Sequence, residues 1–379
     1  MKPTSLLLIP LCIAAANTAT ARDAETSTDK DRVDFLTIVD TKFASWDADT
    51  DGELERGELD KLVADREILG DQAAAVAALK RASRYKKIEL PKFTAKAIHE
   101  LAEKKPAKDW PNLAAMYASG VKRLAKVQQR VLFASGKPRL ETVHQGPMGN
   151  CFSLAPLGAI AQGRPEYIVD EMIKPLPDNR YEVKLGKKKV TVDAPTDAEL
   201  AMTAGNESDG IWVNVYEKAA GEAHNELKPE EKRESTGLDA LSKGGSAGTQ
   251  LAFITGHEMY RLSCKFAKEE KISKEEFDQK LNEIREALKS ATKEKRLMTC
   301  GTVKATIPGI TPGHAYAVLS YDAEKDLIRV WNPHGDTRTI KGEPGPANGY
   351  PMTDGVFDMP LPVFVKEFAG LAFEILPKS

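Results

Sequence analysis

The chain has 379 residues, 29% of them charged, with a net charge of −2. That length suits two or three domains and is ample for a sizeable core. The near balance of charge excludes an electrostatic case for nucleic acid or a membrane surface as partner, and no apolar run approaches the ~20 residues that span a bilayer.

Residues 1–21 read as a targeting leader. Lys2 is the positive start, Leu6 to Ala16 the apolar stretch, and Ala19-Thr20-Ala21 a small-residue cleavage site before Arg22. The mature chain is therefore expected to start near Arg22, secreted or periplasmic, with no membrane contact once the leader is gone. Cleavage removes Cys12 and leaves Cys151, Cys264 and Cys300. If Cys151 stays free, Cys264 and Cys300 either form the one possible intrachain disulfide or remain buried thiols.

The run from Asp47 to Glu58 carries an oxygen ligand at each position of an EF-hand loop. Asp47, Asp49 and Asp51 occupy positions 1, 3 and 5, and Gly52 makes the sharp turn. Glu53 offers its carbonyl, Glu55 acts through water, and Glu58 is the bidentate ligand. Calcium is the expected cofactor. Phe35, Ile38, Val39, Phe43 and Trp46 line the helix leading in, and Leu59, Leu62 and Val63 the helix leading out. Such hands pair. Aligning Ile88 and Phe93 with Leu54 and Leu59 makes Arg81–Lys92 a second loop, with cations where carboxylates are needed. Residues 22–104 are thus expected to form a small all-α EF-hand pair whose second hand is degenerate.

A linker is expected at 104–111, then a helix over Asn112–Leu132 with one apolar face. Phe152 to Ala161 is apolar and small, which reads as a buried helix starting at Cys151. Tyr181–Leu185 and Lys189–Asp193 read as a hairpin, residues 222–247 as surface loop, and Ser273–Ala291 as an amphipathic helix with a capping box. Strands at Ala315–Ser320 and Leu327–Trp331, joined by a turn, bring His314 and Asn332 to adjacent ends of one hairpin.

Cys151, His314 and Asn332, in that chain order, suit nucleophilic acyl transfer. The thiolate attacks, the imidazole holds it ionised and the amide orients the imidazole, while Gln145 can donate to a developing oxyanion. The helix N-terminus at Cys151 favours the anion, and a His-paired thiolate reaches a pKa of roughly 3–4.

Three segments carry a specific resemblance: Gln145-Gly146-Pro147-Met148-Gly149-Asn150-Cys151-Phe152, Gly313-His314-Ala315-Tyr316 and Asn332-Pro333-His334-Gly335. Together they resemble the calpain family of papain-like cysteine proteases. The likeness continues through Trp212–Ala219, Gly244-Gly245, Thr255-Gly256 and the spacing of Asp354, Gly355, Phe357, Met359, Phe364, Phe368 and Leu371, so it covers about residues 140–375.

The resemblance implies an α+β fold, a two-lobed papain-like core with a helical lobe over 105–256 and a β-rich lobe over 257–379. It implies hydrolysis of protein or peptide substrates through an acyl-thioester. Cys151 would be nucleophile, His314 general base and acid, Asn332 orienter, and Gln145 part of the oxyanion hole. Two positions depart from the family pattern. Phe152 and His334 stand where it has Trp, and Trp331 points to the other face of its strand and does not replace the second ring. Of the core calcium positions Asp354 matches, but Val356 stands where a second acidic residue belongs. The alternatives are a catalytically inactive calcium-binding interaction module and a transglutaminase-type acyl transferase, which prefers Asp where this chain has Asn332.

Overall fold

The computed structural model describes residues 27–85, 90–103, 110–127, 129–205 and 209–377. The leader expected at 1–21 and most of the linker expected at 104–111 lie outside these. Five helices come first: α1 (Asp29–Trp46), α2 (Arg56–Ala64), α3 (Gly70–Ala82), α4 (Ala95–Glu103) and α5 (Leu113–Lys126). Helix α1 starts at a reciprocal capping box, with the Thr28 hydroxyl accepting from the Asp31 N–H while the Asp31 carboxylate accepts from Thr28. Helix α5 stops short of Leu132, because the chain beyond it turns away to bond residues 209–211: Ile211 N donates to Val131 O, and Ala134 N to Asp209 O.

The second helix–loop–helix lies in a different register from the one expected. Arg81 and Ala82 are still helical in α3, and Leu54 N donates to Phe93 O at 3.0 Å. Helix α4 begins two residues after Phe93, as α2 begins two after Leu54, so Phe93 takes the place opposite Leu54. Ile88 lies outside the described residues. In this register the ligand positions 1, 3, 5 and 12 belong to Lys86, Ile88, Leu90 and Ala97, none of them a carboxylate.

The N-terminal helices share a core with the start of the catalytic region. Phe35, Val39, Leu59, Val76 and Ile98 pack with Leu113, Met116 and Tyr117 of α5 and with Ala198, Ala201 and Met202 of α8 (Asp197–Met202). Small residues make this possible, since Ala73 to Ala78 of α3 are all buried and let the helix axes approach. A buried ionic cluster adds to the join. Lys80 of α3 contacts Asp60 of α2 and Asp239 (2.7 Å), and Asp239 also accepts from Arg84 (2.6 Å).

The helical lobe is built on α6 (Cys151–Gly163), with one further turn α7 (Pro165–Tyr167), and on α9 (Trp212–Glu226), α10 (Gly237–Leu241) and α11 (Ala247–Thr255). An antiparallel sheet of β1 (Ile173–Leu176), β2 (Arg180–Leu185) and β3 (Lys188–Asp193) covers it, pairing Val183 with Val190. Tyr181, Val183, Leu185, Val190 and Val192 alternate inward, which is the period-2 pattern that marked this hairpin. The stretch 222–247, expected as surface loop, instead contains the buried α10. Gly221 and Gly237 allow α9 and α10 to touch backbone to backbone: a Cβ on Gly221 would lie 2.4 Å from Gly237 O.

The β lobe is a six-stranded antiparallel sheet in the order β4-β9-β5-β6-β7-β8. The strands are β4 (Glu258–Ser263), β5 (Met298–Thr302), β6 (Ala315–Asp322), β7 (Leu327–Trp331), β8 (Val356–Pro360) and β9 (Phe368–Ile375). Helix α12 (Lys274–Lys293) is capped by Ser273, which accepts from Glu276 N, and buries Leu281, Ile284 and Leu288 in the lobe's core. Helix α13 (Leu361–Glu367) leads into β9. Cys264 and Cys300 are both free and buried. Strand β9 runs between the strand that leads to Cys264 and the strand that holds Cys300, and strands two places apart exceed disulfide reach. No helix among the described residues is long and apolar enough to cross a membrane.

Candidate active site

Cys151 opens α6 because the preceding carbonyl starts the helical ladder: Asn150 O accepts from Ser153 N at 2.8 Å and from Leu154 N at 3.1 Å. The thiol faces the β lobe. Backbone N–H groups of Ala315, Phe152 and Cys151 itself point at it, and Ala315 directly follows His314. The helix start and the strand start therefore meet at the sulfur.

His314 and Asn332 are joined as expected from the hairpin, with His314 Nε2 2.8 Å from Asn332 Oδ1. The same oxygen accepts the His334 N–H at 3.1 Å, which identifies it as carbonyl oxygen and not amide nitrogen. An acceptor opposite Nε2 puts the imidazole proton on Nε2 and leaves Nδ1 as the basic nitrogen. Both residues are buried, His314 at 5% exposure and Asn332 at 1%.

Burial pushes the Cys151 thiol up, and the three backbone N–H groups pull it only partly back. Burial also pushes the His314 imidazole well below its usual value. Nearby His334 adds to that, while Asn332 and Asp336 oppose it. Taken singly, each environment favours the neutral form of its group, and attraction between the two groups acts the other way. The arrangement suits a base that takes the proton as the sulfur attacks.

His334 covers the imidazole itself. The two rings are 4.3 Å apart and inclined by 30°, and Tyr316 meets the His314 ring edge-on at 4.9 Å. Trp331 is buried elsewhere, against Gly158 of α6, with its Nε1 donating to Asp354 O at 3.1 Å. Phe152 packs on Gly245, where a Cβ would lie 2.6 Å from the ring, and meets His224 edge-on at 5.7 Å. Gly245 is thus a close-approach glycine that seats the residue after Cys151.

Gln145 stands in the loop before Cys151. Its backbone N–H donates to Pro333 O at 2.7 Å, tying the two lobes one residue from Asn332. One donor of its carboxamide is engaged with Met148 O at 2.9 Å. Glu217 of α9 also reaches this region, accepting from Asn150 Nδ2 at 2.5 Å. The sequence reading missed it as a site residue. The signal available was an acidic side chain next to the apolar residues Val213, Val215 and Tyr216.

In the loop from Asp47 to Glu58, Gly52 adopts a φ of 85° and its N–H donates to Asp47 Oδ2 at 2.8 Å. Carboxylate oxygens of Asp47, Asp49 and Glu58 gather within 4.8 Å of one another, as do those of Asp51, Glu53 and Glu55. Glu58 accepts from Ala48 N (2.6 Å) and Glu55 N (2.9 Å), and the Glu53 side chain pairs with Lys92. Asp47 is 7% exposed, and its Oδ1 is buried without a hydrogen-bond partner. Clustered carboxylates and an orphaned buried carboxylate oxygen fit a hard divalent cation, whose charge would relieve both. Asp354 accepts from the Thr337 hydroxyl through Oδ1, donates to it through its N–H and sits at a φ of 47°, with Val356 beginning the strand beyond it.

A search of curated proteins finds no match to this chain. The family model described as calpain family cysteine protease matches residues 116–344, a span holding Gln145, Cys151, His314 and Asn332.

Proposed function

This chain belongs to the calpain family of cysteine proteases, and from that premise we propose that it is an endopeptidase that cleaves peptide bonds through an acyl-thioester on Cys151. The observation carrying this reading is the His314 Nε2–Asn332 Oδ1 bond of 2.8 Å beside a thiol at the start of α6.

In the proposed reaction Cys151 Sγ attacks the scissile carbonyl carbon while His314 Nδ1 takes the thiol proton. Asn332 holds the ring by Nε2 so that Nδ1 stays presented. The oxyanion is met by the Cys151 N–H and by Gln145. Collapse breaks the C–N bond, and the leaving amine receives the proton from His314. A water activated by His314 then attacks the thioester, releasing the acid and restoring the thiol.

Calcium is the proposed cofactor of the N-terminal loop. Asp47, Asp49, Asp51 and Glu58 would hold it by side chains and Glu53 by its carbonyl, and the ion would supply neutralising charge to a loop otherwise repelling itself. The leader expected at residues 1–21 makes export from the cytoplasm part of the same proposal.

A fluorogenic peptide library tests the activity, with Cys151→Ala as control. Cleavage by the wild type that disappears in the variant supports the reading. A folded wild type that cleaves nothing points to a non-catalytic calcium-binding module. Amide transfer to an added amine in place of hydrolysis points to a transglutaminase-type reaction.

A further inference from the structure

We propose that Glu217 is a positioning residue for Cys151, tying the residue before the nucleophile to the strand segment beside Gln145; this rests on the peptidase reading above. Glu217 lies on α9, fully buried, as is Asn150. Its Oε1 accepts from Asn150 Nδ2 at 2.5 Å and its Oε2 from Ala204 N at 2.8 Å. Asn150 is the residue whose carbonyl starts α6. Ala204 precedes Gly205, which exchanges both backbone bonds with His144, each 2.8 Å, and His144 precedes Gln145. One carboxyl group thus holds the nucleophile's neighbour directly and the oxyanion residue's neighbour through a single rung.

A structural tie alone does not need an acid here. Asn214, one turn earlier on α9, already clamps Thr203 and Ala204 through its own carboxamide. Glu217 differs in facing two donors at once, and a group with two acceptor oxygens and no donor is an ionised carboxylate. The charge is expensive in this position. Burial pushes the Glu217 carboxyl up to about 7, while the Ala204 N–H, Asn150 and Arg123 of α5 hold it down. The interior retains that charge only with its donors in place.

Glutamine would leave one oxygen for Ala204 N and aim an NH2 at Asn150. The Asn150 amide would then have to turn and present Oδ1, an atom now buried without a hydrogen-bond partner. Such an exchange sets the start of α6 differently. Small misplacements of a reacting group cost turnover steeply.

The test compares wild type, Glu217→Gln, Asn150→Ala and the double variant in the full chain. It reads the iodoacetamide alkylation rate of Cys151, kcat and KM for a fluorogenic peptide, and the melting temperature. The expected result is a fall of about tenfold or more in alkylation rate and kcat for each single variant, with KM nearly unchanged, read well below the melting temperature, which itself falls because each change leaves a buried polar group short of a partner. The double variant should fall no further, since both changes break one contact. If Glu217→Gln does not fold, Asn150→Ala removes the same bond by its donor and carries the test. The proposal is overturned if the single variants match wild type, or if the double falls by the product of the two. A wild type that cleaves no peptide, yet whose Cys151 alkylation depends on Glu217, sinks the peptidase reading and leaves this one standing.

Discussion

Gly158 of α6 and Trp331 of β7 are packed so closely that a Cβ at Gly158 would lie 2.2 Å from the indole Cζ3. Gly158 is seven residues, about two turns, after Cys151 and so shares its face of the helix. Trp331 immediately precedes Asn332. The absence of a side chain at Gly158 therefore sets how near the helix bearing the thiol comes to the strand bearing its partners. Gly158→Ala should destabilise by about 1–3 kcal/mol, the cost of overpacking a filled site. It should also lower kcat more than it raises KM, because the lobes carrying Cys151 and His314 are pushed apart. Urea unfolding and steady-state kinetics check the two parts, and an alanine variant as stable and as fast as wild type would show that the contact does not set the lobe spacing.

The pH dependence of Cys151 separates the neutral pair from an ion pair. Burial raises the thiol value and lowers the His314 value. The thiolate then appears only as pH climbs past the raised thiol value, so alkylation by iodoacetamide should keep rising above pH ~8.5, the ordinary thiol value. A thiolate held by imidazolium, with a pKa of roughly 3–4, would instead label at a flat rate from about pH 5 upward. A flat profile would mean that attraction between the two groups outweighs their burial.

His334 stands at the family's second Trp position, and its ring lies 4.3 Å from that of His314. Its bond to Asn332 Oδ1 comes from the backbone N–H, which any residue but proline retains. His334→Trp keeps that donor, removes the neighbour that helps lower the His314 value and puts a larger apolar ring over the hydrogen bond. Turnover near neutral pH should be unchanged or higher in peptide assays. A clear loss with the fold intact would give the His334 imidazole a role of its own.

The placement of Cys151 at a helix start and of His314 beside Asn332 was legible because each sits at an end of a regular element with strong local pattern. Cys151 precedes ten apolar or small residues, and His314 and Asn332 bracket two β-patterned runs with a turn between. What the sequence withheld was contact between segments far apart in the chain. Nothing local says that Asn150 meets Glu217, that Trp331 needs Gly158, or that α5 and α8 complete the core of the first four helices. The second loop was misplaced because the spacing of Ile88 and Phe93 matched a template by chance, while the backbone bond from Leu54 to Phe93 fixes the register. The burial that acts on Cys151 and His314 was hidden for a related reason, since it depends on how the two lobes meet.

That shared core shapes the calcium prediction. If ligand exceeds the dissociation constant by about 100-fold, binding adds roughly 2.7 kcal/mol of stability. Ala198, Ala201 and Met202 belong to the same core as Phe35 and Leu59, so the gain should appear in one cooperative transition that includes the helical catalytic lobe. Chelator should lower that melting temperature. Asp47→Asn or Glu58→Gln should lower it too and leave the chelator without effect. Calcium that leaves melting unchanged but switches the peptidase on through Glu58 would make the loop a sensor and contradict a stabilising role.

The central claim is that Cys151 carries the acyl group during turnover. An activated peptide ester, for which loss of the acyl group is slow, should give a burst of about one equivalent per enzyme. Acid quenching within the burst, followed by peptide mapping, should then find the acyl mass on Cys151 and on no other residue, with none in Cys151→Ala. Steady hydrolysis without a burst and without an adduct on Cys151, or an adduct mapped to another side chain, would contradict the account.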